Sequence, residues 1–273
     1  CRMSTLNMEA EYNNRLRVPE HATISSRWVG ESEAYRAVAR AELDLAYGPG
    51  ERQRYDLFHA GSGARPAAVL VYIHGGYWQW GNRQDHSRIA RRLNARDVTV
   101  ALPSYSLCPA VSVMDIVGEL RACVEALWLR HGVRMAVAGH SAGAHLAAAM
   151  LATDWTALGI PVDAVRAAYA ISGAFDPEPL IPTSINDGTR LTPETARLAN
   201  VAEWPAPTQA KRFVAAVGAD ESSEFLRQSR ELVAIWSKAG VTAEAVVVPQ
   251  ANHFTVVDEL TRPDSAMTVR IAE

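Results

Sequence analysis

A serine placed between two glycines, in the stretch GHSAGAH at 139–145, constrains the fold of this chain more than any other feature. An apolar run, RMAVAG, ends just before it, and a small-residue run, AGAHLAAAMLA, follows it. The first is typical of a short buried strand and the second of a helix. Gly-x-Ser-x-Gly between strand and helix predicts a tight bend that lifts the serine hydroxyl clear of the sheet. The pattern favours Ser141 as a nucleophile over the alternative, an ordinary serine N-cap.

The rest of the chain alternates strand-like and helix-like segments. Further apolar runs that are typical of strands occur at 67–74, 98–105, 165–173, 211–218 and 243–249. Apolar residues recur at helical spacing over 111–132 and 223–240, and the second segment ends at Gly240, which suits a C-cap. The alternation predicts an α/β fold with a mostly parallel central sheet, flanked by helices on both faces. Gly48-Pro49-Gly50 joins two partly alternating stretches, which predicts an antiparallel hairpin at the sheet edge.

One segment breaks this rhythm. Residues 174–207 contain six prolines and no strand pattern, and their one candidate helix begins near Thr192-Pro193-Glu194. A long excursion within a compact domain is typical of a functional loop. We expect one domain over residues 1–273, with 174–207 as a lid inserted in it.

A second motif, YIHGGYWQWG at 72–81, begins within the apolar run of 67–74 and continues beyond its end. Acyl transfer places negative charge on an oxygen, and preorganised backbone N–H groups stabilise that charge. Glycines allow the backbone to approach such an oxygen without interference from a Cβ atom. We expect the N–H groups of Gly76, Tyr77 and Ala142 to form an oxyanion hole.

A general base and an acid follow Ser141 in the chain. His253 lies just after the last predicted strand, which is where a hydrolase of this strand pattern supplies its base. Asp220 and Glu221 follow the preceding strand, and one of them is expected to orient the imidazole. The order Ser, acid, His is satisfied by either carboxylate. The pattern predicts an acyl-enzyme mechanism in which Ser141 attacks a carbonyl carbon.

Composition excludes several other classes. The formal net charge is −3, and no Lys/Arg run is present, which argues against nucleic acid or an anionic membrane as a partner. No apolar stretch reaches the roughly 20 residues needed to span a bilayer, and the N-terminus lacks a secretory pattern, so we expect a cytoplasmic protein. Three cysteines without C-x-x-C predict neither a disulfide framework nor a cysteine metal site. We expect a small-molecule substrate and no cofactor or metal; the oligomeric state stays open, a homodimer included.

With these residues in place, the chain resembles the α/β-hydrolase superfamily, and within it the arylformamidases (kynurenine formamidases) and their bacterial esterase-like relatives. The resemblance covers nearly the whole chain. It rests on HGGYW (74–78), GHSAGAHLA (139–147), SGAFDPEPLIPTSIND (172–187), ESSEFLRQS (221–229) and NHFTVVDEL (252–260). Alignment with the family's acid segment selects Glu221 over Asp220, although the family more often has an aspartate there. PSYSLCP (103–109) also lacks the arginine that the superfamily often carries in this stretch.

The resemblance implies hydrolysis of N-formylkynurenine to kynurenine and formate. The alternative is a short-chain carboxylesterase or amidase of another catabolic pathway, because the catalytic chemistry is shared and specificity lies in loop geometry. A binding protein with a decayed site is a third interpretation, but it predicts a missing nucleophile or base.

Aromatic residues bear on the substrate. Trp78 and Trp80 follow the predicted oxyanion turn, and Phe175 begins the lid segment. These three side chains are expected to bind an aryl leaving group, with core packing as the alternative. His74 and His140 flank the catalytic loops and are expected to be hydrogen-bonded scaffold.

Overall fold

The computed structural model describes residues 6–61, 66–208 and 210–273. Eight strands form one sheet in the order β1-β2-β4-β3-β5-β6-β7-β8 within these residues. The strands are β1 (Ala41–Ala46), β2 (Arg54–Phe58), β3 (Ala68–Ile73), β4 (Val98–Pro103), β5 (Met135–His140), β6 (Val165–Ile171), β7 (Arg212–Gly218) and β8 (Thr242–Val248). Strand β2 is antiparallel to both of its neighbours, and every pair from β4 to β8 is parallel. The predicted mostly parallel sheet and its edge hairpin are confirmed.

Helices cover both faces of this sheet. They are α1 (Met8–Tyr12), α2 (Asn14–Arg17), α3 (His21–Arg36), α4 (Arg88–Asn94), α5 (Val113–His131), α6 (Ala142–Ala152), α7 (Asn186–Thr189), α8 (Pro193–Ala199), α9 (Ser223–Lys238) and α10 (Ala266–Ala272). The long helices begin and end where the sequence provides caps. The Ser112 side chain forms a capping box with Asp115, and Gly132 ends α5 in a left-handed conformation (φ +60°).

Two apolar clusters result, one on each face of the sheet. Helices α5, α6 and α9 pack on one face, and α3, α4 and α10 pack on the other. Strand β3 illustrates the division, because Val71 and Ile73 belong to the first cluster and Leu70 and Tyr72 to the second. Burial on both faces explains why these strands read as continuous apolar runs.

Residues 174–207 contain no strand and run as short helical turns. The segment includes α7, α8 and the 3-10 turns Glu178–Leu180 and Val201–Glu203. The helix predicted near Thr192 is confirmed: the Thr192 side chain accepts from the Thr195 backbone N–H, and Pro193 occupies the first turn. No helix in the described part of the chain is long and apolar enough to cross a membrane.

Candidate active site

Ser141 occupies a strained bend between β5 and α6, with φ +56° and ψ −120°. The bend requires the two flanking glycines. A Cβ on Gly139 would lie 2.1 Å from the Gly143 carbonyl oxygen, and one on Gly143 would lie 2.1 Å from the Ile73 carbonyl oxygen. Within the described chain the Ser141 side chain makes no capping hydrogen bond to α6. Ser141 therefore does not cap α6 with its side chain. A strained backbone position of this kind is typical of functional sites.

His253 and Glu221 form a buried pair. Nδ1 of His253 lies 2.7 Å from Oε2 of Glu221, and the exposed fractions of the two side chains are 5% and 0%. Because a carboxylate can only accept, Nδ1 donates to Glu221, which leaves Nε2 as the nitrogen that faces away from the acid. Asp220 is exposed, and its backbone N–H donates to the Ala251 carbonyl oxygen. The geometry thus brings Glu221, not Asp220, to the imidazole.

The second oxygen of Glu221 is held separately. Oε1 accepts from the Ser172 hydroxyl at 2.5 Å and from the Gly218 backbone N–H at 2.7 Å. Ser172 follows β6 with a left-handed backbone (φ +54°), which turns its side chain toward the acid loop. Two donors on one oxygen fix the carboxylate so that the other oxygen faces His253.

His253 is also held by its own backbone and by aromatic rings. Nε2 of the buried His140 donates to the His253 carbonyl oxygen at 2.7 Å. The Phe225 ring lies with its centroid 4.6 Å from that of the His253 imidazole, and Phe254 packs edge-on at 5.7 Å. The expectation that His140 is hydrogen-bonded scaffold is confirmed.

The glycine turn after β3 lies directly against the serine bend. A Cβ on Gly75 would lie 3.1 Å from the Ser141 Cβ and 2.7 Å from the His140 carbonyl oxygen. Gly76 has φ +114°, and its carbonyl oxygen accepts from the N–H groups of Gln79 and Trp80 at 2.9 and 3.0 Å. The turn predicted to supply an oxyanion hole is therefore adjacent to the predicted nucleophile.

An N-terminal strap, which we define as residues 8–17, holds this turn. The Tyr77 hydroxyl donates to the Tyr12 carbonyl oxygen and accepts from Asn14 Nδ2 at 3.1 Å. The Tyr12 hydroxyl in turn donates to Glu224 at 2.9 Å, three residues beyond Glu221. The strap thus connects the glycine turn to the helix that follows the acid, and sequence reasoning did not foresee this role.

Ser141 and His253 line one cavity of about 490 Å³. The glycine turn contributes Gly75, Gly76 and Tyr77 to the wall, and the strap contributes Asn13, Asn14 and Arg15. Further parts of the wall come from helix α3, the 81–86 segment, Phe254 and the 174–207 segment. This volume is typical of a small-molecule pocket.

The aromatic side chains predicted to bind substrate separate into two groups. Trp80 lines the cavity and is 41% exposed. Trp78 is fully buried against His145, with ring centroids 5.2 Å apart, and Phe175 is buried against Phe213 at 6.0 Å. Trp78 and Phe175 therefore belong to the core and not to the described cavity wall, which corrects the expectation for these two residues.

Two buried histidines outside the cavity wall, His74 and His145, are neutral near pH 7. Burial lowers the pKa of His74 to about 4, and that of His145 to about 4 as well. His74 stacks on Tyr105 with centroids 4.3 Å apart, and His145 Nε2 donates to the Ala199 carbonyl oxygen at 2.6 Å. Among the described residues no three His, Cys, Asp or Glu side chains converge as a metal ion would require.

The sheet order, the serine bend after β5 and the histidine after β8 define an α/β hydrolase. A family model described as the alpha/beta hydrolase fold matches residues 70–257. The chain belongs to this family.

The chain is also similar in sequence to individual proteins. The chain is 28% identical over 244 residues to the kynurenine formamidase of Danio rerio. The matched region covers 87% of this chain and 83% of the relative. It is 27% identical over 238 residues to the kynurenine formamidase of Drosophila melanogaster, covering 81% and 77%.

Solved structures are similar over almost the whole chain. A putative thioesterase from Silicibacter sp. superposes with a TM-score of 0.88 at 29% identity, covering 98% of this chain and 100% of that one. An esterase from Pyrobaculum calidifontis superposes with a TM-score of 0.72 at 21% identity, covering 94% and 95%, and shows the shared fold.

Proposed function

We propose that this α/β hydrolase is an arylformamidase, which hydrolyses N-formylkynurenine to kynurenine and formate in tryptophan catabolism. The relatives named kynurenine formamidase, which match over most of the chain, support this substrate. The observation that carries the chemistry is the buried His253–Glu221 pair, in which His253 lines the same cavity as Ser141.

In the proposed first half-reaction, Ser141 Oγ attacks the formyl carbon and gives its proton to Nε2 of His253. Glu221 stabilises the resulting imidazolium through the 2.7 Å contact with Nδ1. The N–H groups of Gly76, Tyr77 and Ala142 stabilise the oxyanion. The C–N bond then breaks, and Nε2 gives its proton to the departing aryl amine.

The second half-reaction repeats these steps with water. His253 takes one proton from water, whose oxygen attacks the formyl ester of Ser141, and the same amides stabilise the second oxyanion. The C–O bond to the serine breaks, Ser141 regains its proton from Nε2, and formic acid leaves and loses its proton to solvent as formate. An aryl amine is a better leaving group than an alkyl amine because its nitrogen lone pair is delocalised into the ring.

We also infer that residues 174–207 act as a cap over the cavity. Ser184 and Ile185 line its wall. Gln79 Nε2 donates to the Ile185 carbonyl oxygen at 2.7 Å, and Glu9 of the strap accepts from the Ser184 backbone N–H at 2.8 Å. These contacts tie the cap to the glycine turn and to the strap, so that it helps to exclude water from the acyl-enzyme.

The test compares kcat/KM for N-formylkynurenine with that for p-nitrophenyl acetate. An arylformamidase is expected to favour the formamide, although formamides are intrinsically less reactive than this ester. Ser141→Ala is expected to remove both activities and to leave the thermal unfolding temperature nearly unchanged. A formamide rate thousands-fold below the ester rate would contradict the proposal.

A short-chain carboxylesterase is the second candidate. It is favoured by the solved structures named esterase and putative thioesterase, of which the latter covers 98% of this chain at 29% identity. It predicts the reverse ratio in the same assay, with rates that fall as the acyl chain lengthens. Both candidates use the same Ser141, His253 and Glu221. Loss of activity in Glu221→Gln would therefore not tell an arylformamidase from a carboxylesterase.

A further inference from the structure

Arg15 of the strap lies at the mouth of the cavity, stacked on Trp80. Its guanidinium carbon is 4.5 Å from the centroid of the Trp80 ring. Both residues line the cavity, and both are exposed to solvent at its opening. Stacking on an aromatic face fixes the plane of a guanidinium and leaves its N–H edge free to donate.

Arg15 is the only Lys or Arg among the described residues that line this cavity. Within the described chain no carboxylate forms an ion pair with it. Its neighbour in the strap, Arg17, donates instead to the Ala10 carbonyl oxygen at 3.4 Å and does not line the cavity. The carboxylate in the wall, Asp85, accepts from Asn82 Nδ2 at 2.8 Å. The positive charge of Arg15 is therefore left for a ligand.

Position relative to the reaction identifies which part of a substrate Arg15 meets. Ser141 and His253 are 3% and 4% exposed, whereas Trp80 is 41% exposed, so the acyl group sits in the buried part of the cavity and Trp80 lies in its open part. In the proposed reaction the small formyl group is bonded to Ser141, and the larger leaving group occupies the rest of the cavity, which Arg15 and Trp80 line.

We propose that Arg15, oriented by Trp80, binds a carboxylate on the leaving group of the substrate. The preferred substrates are then aryl amides or esters whose leaving group carries a carboxylate at the end remote from the scissile bond. The placement of the leaving group rests on the proposed function. A guanidinium edge binds a carboxylate through two parallel N–H···O bonds, which a neutral amide in the same place cannot match.

The experiment removes the two charges separately. One arm measures kcat/KM for N-formylkynurenine and for its α-carboxamide with wild type and Arg15→Gln. We expect Arg15→Gln to lower the acid-to-amide ratio of kcat/KM about tenfold, a size suited to a charged pair at a partly exposed site. Arg15→Lys is expected to keep an intermediate ratio, since it retains the charge without the planar fork. Arg17→Gln, the matched control, is expected to keep the wild-type ratio.

A second arm uses 3-(4-acetoxyphenyl)propanoate and the matching propanamide, so that the result does not depend on formamide hydrolysis. If only the esters are hydrolysed, the arylformamidase proposal fails and the ester pair still tests Arg15. The wild-type acid-to-amide ratio is also expected to fall as salt is raised from 0.05 to 0.5 M, because the pair is exposed. An Arg15→Gln variant with the wild-type ratio in every series that is hydrolysed would overturn the proposal.

Discussion

The hydroxyl of Ser172 donates to Oε1 of Glu221 at 2.5 Å, although the two residues are 49 positions apart. Both side chains are buried, and the same carboxylate places its other oxygen 2.7 Å from His253. We therefore propose Ser172 as a positioning residue, since it contacts Glu221 and would act on the imidazole through that carboxylate.

Ser172→Ala is expected to lower kcat about tenfold, since one donor to a buried carboxylate is lost and a hydrogen bond to a charged group contributes about 1.5 kcal/mol. KM for N-formylkynurenine is expected to change less than twofold, because Ser172 does not line the cavity. Steady-state kinetics give both constants. An unchanged kcat in Ser172→Ala, together with a lower unfolding temperature, would show that Ser172 has only a structural role.

Glu221→Gln is expected to lower kcat by about 10³- to 10⁴-fold, because an amide cannot stabilise the imidazolium and can bind the wrong tautomer of His253. Asp220→Asn is the matched control one residue away. Its side chain is exposed, so we expect its kcat within about twofold of wild type. Equal losses in the two variants would contradict the assignment of the acid.

The sequence predicts the framework of this site well because the relevant signals are local. The serine bend depends on Gly139 and Gly143 beside it, and the glycine turn depends on Gly75 and Gly76. Each of these constraints acts over a few residues, so one short stretch of sequence contains the whole pattern. The choice between Asp220 and Glu221 was harder, because it depends on which side chain the loop after β7 turns inward.

The cavity wall was less predictable because it depends on contacts between distant residues. Trp78 follows the glycine turn, but its left-handed backbone (φ +58°) accompanies a ring buried against His145. Helix α3 has only a weak apolar periodicity in the sequence, because one of its three buried residues is polar. These residues are Ile24, Trp28 and Ser32. The strap residues that bond Tyr77 lie more than 60 positions from it in the sequence. A local sequence pattern cannot predict such a contact.

The strap gives a further prediction through Tyr77. Tyr77→Phe removes the hydroxyl that bonds Tyr12 and Asn14, and it leaves two buried polar groups unpaired. We expect unfolding to become easier by about 2 kcal/mol. We also expect kcat to fall about tenfold, because the Tyr77 amide is a proposed oxyanion donor and loses its anchor.

The control for this variant is Tyr47→Phe. The Tyr47 hydroxyl donates to the Ser104 carbonyl oxygen at 2.6 Å and lies outside the cavity wall. Its loss is expected to destabilise the fold by a similar amount and to leave kcat near the wild-type value. Chemical denaturation and steady-state kinetics separate the two effects. A Tyr77→Phe enzyme that is less stable but fully active would show that the strap does not position the turn.

His145 sets an expected dependence of stability on pH. Burial lowers its pKa from 6.5 to about 4, so the folded protein resists a proton that the unfolded chain accepts. Above pH 6.5 neither state is protonated and the group has no effect. As the pH falls from 6.5 toward 4, only the unfolded state gains the proton, so the free energy of unfolding decreases, by about 2 kcal/mol at pH 5 for this one group.

His145→Gln removes the titrating ring and keeps an N–H donor for the Ala199 carbonyl oxygen, which the imidazole bonds at 2.6 Å. We expect the variant to be less stable than wild type at pH 7, because the ring packed on Trp78 is lost. Its further loss between pH 7 and pH 5 is expected to be about 2 kcal/mol smaller than that of wild type. Urea denaturation at both pH values measures the difference, and parallel losses in the two proteins would show that His145 titrates alike in the folded and unfolded states.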